Sequence, residues 1–364
     1  MFQGQLPIWK IRRELRRFPV SFASKARAAF GPLNRIGHDL TAHRTVTVSP
    51  GDRAATSEPV VLLIYQPRGL LESTFSMLRH LVENGLSVIL VANHPLDETM
   101  LRDLRPWCHR MIARPNIGYD FGGYRDGILH VLREMPGAER LFMLNDSNWY
   151  PIRPDCGLID AARSAPENIY GIYQTHAATR PEDLHVHSYF YRFDGTLLHS
   201  RDFRRYWRKM PLINEKRLVI RYREVGMSKH FMALGYTLGS YHTSDNLAEA
   251  LMALSDEDME AEIHFLFDAK FFRTSADVEP GLRDDLLALH RQDRGRLVDY
   301  LMKRHLGTLY LAHHPALFLQ ALGAPVLKKN RDHEFKVMRQ AIREGTLGAD
   351  LLPEVRRELL GWDG

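Results

Sequence analysis

The stretch VVLLIYQPRGLLESTFSMLRHLVENGLSVILVAN (60–93) decides the fold. Its first six residues form a continuous apolar run, which suits a strand covered on both faces better than one that alternates between core and solvent. Leu70, Leu71, Phe75, Leu78, Leu81 and Val82 then recur at helical spacing, and Gly85 closes that helix. LSVILVAN (86–93) is a second buried strand. Strand, helix and strand in that order predict a right-handed crossover between parallel neighbours.

The pattern continues outward. A helix near 97–106, a strand HRMIA (109–113), a helix from about 122 to 135 and a strand RLFMLN (140–145) repeat the alternation. The expected fold class is therefore α/β, with a mainly parallel sheet flanked by helices. NIYGIYQ (168–174), HVHSYFYRF (185–193) and TLGSYH (237–242) read as further strands, with helices over 200–209 and near 223–234. Residues 59–245 make the α/β domain, and 246–364 form a mainly helical C-terminal region in which Leu282, Leu286, Leu289, Leu297 and Leu301 are spaced as helical core.

Upstream, Gly31, Pro32, Gly37, Pro50, Gly51 and Pro59 punctuate a stretch of little apolar periodicity, so 31–58 reads as a linker. Before it, Ile8, Ile11, Leu15, Phe18 and Phe22 recur at steps of three and four, between Lys10, Arg12, Arg13, Arg16 and Arg17. That spacing predicts a basic amphipathic helix, interrupted near Pro19, whose readings are contact with anionic lipid or packing on the body. Residues 1–27 carry seven basic side chains and one acid, an excess of +6, whereas the other 337 residues hold 42 basic and 43 acidic groups. A nearly neutral body argues against a nucleic-acid binder. With only Cys108 and Cys156 there is no disulfide framework. No apolar run reaches the ~20 residues of a membrane helix, and the first residues lack the apolar core of a signal peptide. The expected location is cytoplasmic, peripheral on the cytoplasmic face of the inner membrane.

In a parallel sheet ligands collect beyond the carboxyl ends of the strands. The polar residues there are Gln66, Asn93 to Glu98, Asn116 to Asp120 and Asn145 to Asn148. RPNIGYDFGGYRDGI (114–128) sets glycines and an Asp between strand and helix, where Gly122 and Gly123 permit close backbone approach and a helix start offers N–H groups to an anion. It matches neither a P-loop nor a G-x-G-x-x-G fingerprint, so phosphate binding and plain loop structure are equal readings. In FMLNDSNWY (142–150), Asp146 follows a buried strand and can offer oxygen to a divalent cation, or simply belong to a turn.

NIGYDFGGY (116–124), MLNDS (143–147), HSYFYRF (187–193), REVGMSKHFMALGY (223–236) and AHHPALFLQALGAPVLKKN (312–330), taken in order, resemble the rhamnan synthesis protein F family of bacterial polysaccharide enzymes. The resemblance implies a GT-A-like, Rossmann-like domain that transfers a sugar, commonly rhamnose, from a nucleotide-sugar onto a growing cell-surface polysaccharide or lipid-linked glycan, with inversion. It places Asp146 in the slot of an Asp-x-Asp metal motif, although Asn145 and Ser147 replace the richer acidic set, so a Mg²⁺ or Mn²⁺ cofactor is an open expectation. Glu224 resembles the acid that opens the acceptor-side helix, with Val225 in place of a second acid. Asn116, Gly118, Asp120, Asn145 and Ser147 become donor-site residues, and Asp97 a candidate for reading the base.

Such a reaction needs a base for the acceptor hydroxyl, for which Glu224 is the choice, and positive charge for the departing diphosphate, organised by Asp146. His242, ending a late strand, is a second candidate ligand for metal or diphosphate; its other reading is a hydrogen-bonded histidine. His185 and His187 alternate and share a strand face, but they lack the cysteine or H-E-x-x-H frame of a zinc site. Arg201, Arg204, Arg205 and Arg208 read as a solvated helix face. The alternative function is a GT-A-shaped module that binds nucleotide-sugar or glycan without turnover and recruits partner enzymes, a reading kept open by the sparse acids around Asp146 and by Val225.

Overall fold

The computed structural model describes residues 30–175, 184–269, 281–303, 317, 319, 322–347 and 350–362. The basic segment 1–27, His313 and His314 lie outside the described residues. A nine-stranded sheet forms the centre, in the order β1-β4-β3-β2-β5-β9-β7-β10, with β8 paired to β7. Its strands are β1 (Thr47–Pro50), β2 (Pro59–Ile64), β3 (Ser87–Ala92), β4 (Arg110–Ala113), β5 (Leu141–Asn145), β7 (Ile169–Thr175), β8 (His185–Val186), β9 (Phe190–Phe193) and β10 (Leu238–His242). β2 runs parallel to β3 and β5, β3 to β4, and β10 to β7, whereas β1, β8 and β9 are antiparallel to their neighbours.

The continuous apolar runs are buried on both faces, as their lack of alternation predicts. Val60, Leu62 and Ile64 of β2 pack with Met77, Leu78 and Leu81 of α2 (Glu72–Glu83), beside α3 (Glu98–Leu104) and α5 (Leu158–Ser164). Val61 and Leu63 point the other way, into a core with Phe121, Tyr124 and Ile128 of α4 (Tyr119–Glu134), Trp207 of α6 (Arg201–Lys209) and Phe231 of α7 (Val225–Ala233). The C-terminal region is helical as expected. α8 (Ser244–Ala253), α9 (Asp256–Asp268), α10 (Leu282–Gln292) and α11 (Arg294–Leu301) share one core, while α12 (His333–Glu344) and α13 (Pro353–Gly361) pack around Trp149 in another.

The linker expected over 31–58 is instead a helix, α1 (Gly31–Thr45), followed by the edge strand β1. Pro32 sits in the first turn of α1, where its missing N–H has no partner to lose. The inward face of α1 is polar. His38 Nε2 lies 2.7 Å from Asp126, Arg125 makes two hydrogen bonds to Asp39, and Asn34 donates to the Leu212 carbonyl. Gly51 is required where the chain leaves β1, since a Cβ there would sit 1.9 Å from the Cys108 carbonyl oxygen. The single strand expected over 185–193 is two, with His187 to Tyr189 crossing between β8 and β9.

Candidate functional site

From β2 the chain reaches β3 on one side and β5 on the other, so the strand order reverses between β2 and β5, and in such sheets ligands collect beyond the carboxyl ends at that place. Asp146 occupies that point. Its N–H donates to the Leu63 carbonyl at 3.0 Å, and its Oδ2 accepts from the Tyr65 N–H at 2.9 Å and from Gln66 Nε2 at 2.8 Å. The half-buried carboxylate is thereby tied to the end of the neighbouring strand. Asn145 Oδ1 turns back to accept from the N–H and hydroxyl of Ser147, so both flanking residues shape the turn. A short ribbon carries the chain onward: β6 (Asn148–Trp149) pairs with β11 (Leu327–Lys328), and the Lys329 N–H donates to the Ser147 carbonyl at 2.8 Å.

Glu224 ends one turn of π-helix (Ile220–Glu224) and stands at the start of α7. Its side chain is buried. Oε1 lies 3.1 Å from His187 Nδ1 and 3.9 Å from His185 Nε2, and Oε2 accepts the Ser188 hydroxyl at 2.6 Å. Burial pushes the Glu224 carboxyl up, but the hydrogen bonds from His187 and Ser188 outweigh it, so the net shift is down. Burial lowers His187, which is neutral at pH 7 and presents Nδ1–H to the carboxylate. Its ring stacks with Tyr173 and with Tyr189, whose centroids are 6.0 and 5.7 Å away.

Tyr124 lies between the segments that carry the two carboxylates. Its hydroxyl donates to the Ser188 carbonyl at 2.9 Å and is hydrogen-bonded with Asn145. Burial raises the phenol well above its usual range, and the charges of Asp120, Asp146 and Glu224 push it further the same way. The phenol thus bonds to the neighbours in sequence or space of two acids: Asn145, which precedes Asp146, and Ser188, whose hydroxyl donates to Glu224. Lys329 completes the rim, its Nζ donating to the Ser73 hydroxyl at 3.0 Å and acted on by the charges of Asp146 and Glu358.

The other expected residues separate by role. Asp120 lies exposed in the first turn of α4, and Asn116 is exposed on the preceding loop. Gly118 has φ +80°, and its N–H is taken by Asn214 Oδ1 at 2.7 Å, so this amide is not offered to an anion. Gly122 and Gly123 do not open a cradle either. A Cβ on Gly123 would meet Leu63 Cδ1 at 2.3 Å, and one on Gly122 would meet the Ile117 carbonyl oxygen at 2.0 Å, so both are needed for α4 to lie close to the sheet and its own loop. Tyr119 has φ +50°, a strained value for a side chain of that size. Asp97 caps α3, accepting from the Met100 N–H at 2.8 Å. His242 ends β10 opposite Tyr173, and burial lowers it to about 4. Three strand spacings, roughly 14 Å, separate the ends of β5 and β10, so Asp146 and His242 are not brought together.

Among the described residues one group of three metal-ligating side chains converges, His185, His187 and Glu224, with ligand atoms all within 4.8 Å of one another. Sequence spacing pairs the two histidines but gives no sign that Glu224 joins them. For Tyr124 the available signal is its place four residues after Asp120, one helical turn along α4.

Several comparisons bear on the chain. The mannosyltransferase PcManGT of Pyrobaculum calidifontis, solved with GDP-Man and Mn²⁺, aligns over 95% of this chain and 96% of its own at 12% identity, with a TM-score of 0.31, too distant to carry an inference. The uncharacterized protein y4gN of Sinorhizobium fredii is 34% identical over 359 residues, covering 97% of this chain and 92% of the relative. Residues 88–267, which contain β3 to β5, Asp146, the two histidines and Glu224, match the family described as rhamnan synthesis protein F, and the chain belongs to that family.

Proposed function

We propose that the chain is a glycosyltransferase that moves a sugar, rhamnose being the first candidate, from a nucleotide-sugar to a growing cell-surface polysaccharide or lipid-linked glycan. The observation that carries this reading is Asp146 at the point where the strand order reverses, linked to Glu224 by the hydrogen bonds of Tyr124 to Asn145 and to the Ser188 carbonyl. The donor would lie in the crevice beyond β2 and β5, with its diphosphate near Asp146 and Lys329. Asn116, Asp120 and the exposed rings of Tyr65 and Tyr119 would line its rim. Gly118, Asn145, Ser147 and Asp97 support the loops that shape this crevice.

Glu224 sits on the acceptor side. Its carboxyl is ionised at neutral pH, and Oε2 already accepts a hydroxyl proton from Ser188. An acceptor hydroxyl in the place of that hydroxyl would give its proton to the same oxygen as it attacks the anomeric carbon, with inversion. A divalent cation, when bound, would supply charge to stabilise the departing diphosphate. No helix of the described residues is long and apolar enough to cross a membrane, and an anionic surface reached through residues 1–27 would bring the chain to a lipid-linked acceptor.

A second reading, a module that binds nucleotide-sugar without turnover, is favoured by the fact that both Glu224 oxygens have partners within the protein. A panel of nucleotide-sugars, dTDP-rhamnose first, assayed for binding by thermal shift and for hydrolysis or transfer with and without Mn²⁺, separates the two. Turnover that Glu224→Gln abolishes while donor binding persists supports transfer. Binding with no turnover of any donor selects the module, and no binding at all ends both readings.

A further inference from the structure

We propose that His185, His187 and Glu224 form a binding site for a borderline divalent transition metal of the Zn²⁺ and Co²⁺ class, a site separate from Asp146. Metal binding at this place does not depend on the transferase reading. Two ligand atoms on a common tetrahedral ion with bonds of about 2.1 Å lie about 3.4 Å apart. The separations from Glu224 Oε1, 3.1 Å to His187 Nδ1 and 3.9 Å to His185 Nε2, bracket that value. All three ligand atoms lie within 4.8 Å of one another, so an ion would draw them inward by shifts on the order of an ångström. In its absence, a proton on His187 Nδ1 occupies the line to Oε1, and metal binding displaces that proton.

The surroundings hold the ligands in place. The Ser188 hydroxyl donates to Oε2 at 2.6 Å, which fixes the carboxylate and directs Oε1 toward the histidines. Tyr173 and Tyr189 both stack on the His187 ring, and this packing restricts its orientation. His187 and Glu224 are buried, while the His185 side chain keeps 13% exposure, so the ion would enter past His185 and retain an open position there. Two imidazoles and one carboxylate select a borderline ion over Mg²⁺, which prefers oxygen alone.

Asp146 fits a cation less well. Its Oδ2 is committed to the Tyr65 amide and Gln66, Asn145 is turned to Ser147, and no third His, Cys or acidic side chain joins it in a ligand group among the described residues.

The test is titration of chelator-treated full-length chain with Co²⁺, read by its visible d–d absorption, together with X-ray absorption of the Co²⁺-loaded wild type. One equivalent should bind, with two imidazole nitrogens in the coordination shell. His185→Gln and His187→Gln should each weaken binding by at least about tenfold, and Asp146→Asn should leave it unchanged. Absent d–d bands, a shell with fewer than two imidazoles, histidine variants that bind like wild type, or loss of binding in Asp146→Asn would each overturn the assignment. The spectrum of the wild type decides even if a histidine variant fails to fold.

Discussion

Gln66 donates through Nε2 to Oδ2 of Asp146 at 2.8 Å, and in doing so ties the residue after β5 to the loop after β2 across the point where the strand order reverses. The same oxygen accepts the Tyr65 N–H. Asp146→Asn can keep one acceptor oxygen for both donors while it removes the negative charge and turns the other oxygen into an NH2. It should fold with wild-type stability and lose transfer. Asp146→Ala leaves two donors without a partner and should cost about 1–3 kcal/mol in addition. Denaturant midpoints measured beside turnover check both; an asparagine variant that transfers at the wild-type rate would remove Asp146 from the chemistry.

Gly123 and Gly127 stand one helical turn apart on the face of α4 that meets the sheet. A Cβ at Gly127 would lie 2.5 Å from Val61 Cγ1 and 2.9 Å from Val91 Cγ2, and at Gly123 the conflict with Leu63 is closer still. Alanine at either position should destabilise by roughly 1–3 kcal/mol, because the helix has to lift from a packed core. Gly137→Ala, where nothing lies within 4 Å, is the control and should be near neutral. Urea melts of the three variants make the comparison.

What the sequence reveals follows from how each part is held. β2, α2 and β3 are legible because apolar burial leaves a direct mark: unbroken runs for strands covered on both faces and a spacing of three and four for the helix. α1 is not, because its pattern is inverted. Leu33, Ile36 and Leu40 are exposed, whereas His38 is buried against Asp126, so the helix docks by hydrogen bonds and the Arg125–Asp39 ion pair, and its apolar residues do not mark the buried face. In the site, Asp146 and Glu224 can be picked out as acids beside expected strand or helix ends. Their partners cannot, since Gln66 is 80 residues from Asp146 and His187 is 37 from Glu224. The glycines of 118–127 mislead for a related reason: close approach to a ligand and close approach of helix to sheet require the same residue.

Glu358 of α13 accepts the Ser73 N–H at 2.7 Å, the Ser73 hydroxyl at 2.7 Å and Trp149 Nε1 at 2.9 Å. One carboxylate therefore fastens the last helix to α2 and to the ribbon that follows Asp146. Glu358→Ala should cost about 2–3 kcal/mol, since hydrogen bonds to a charged group are lost and partly buried donors remain. Amide hydrogen exchange should accelerate in α13 first, with the strands of the sheet still protected. Equal acceleration in β2 and β3 would show instead that the helix and the sheet open as one unit.

His242 is buried and its folded-state pKa falls to about 4 from an ordinary 6.5. Above pH 6.5 both folded and unfolded chains carry it neutral, and it makes no contribution to the pH dependence. Between 6.5 and 4 the unfolded chain takes up a proton that the folded chain refuses, so stability falls as the medium is acidified through this window and levels off below it. His242→Gln removes this titration and should flatten the same window, whatever it costs at neutral pH. Denaturant midpoints taken from pH 7 to 4 on both proteins test the sign. A wild-type slope that the substitution leaves unchanged would assign the acid sensitivity to another histidine, His187 being the next candidate because burial also holds it neutral in the folded chain.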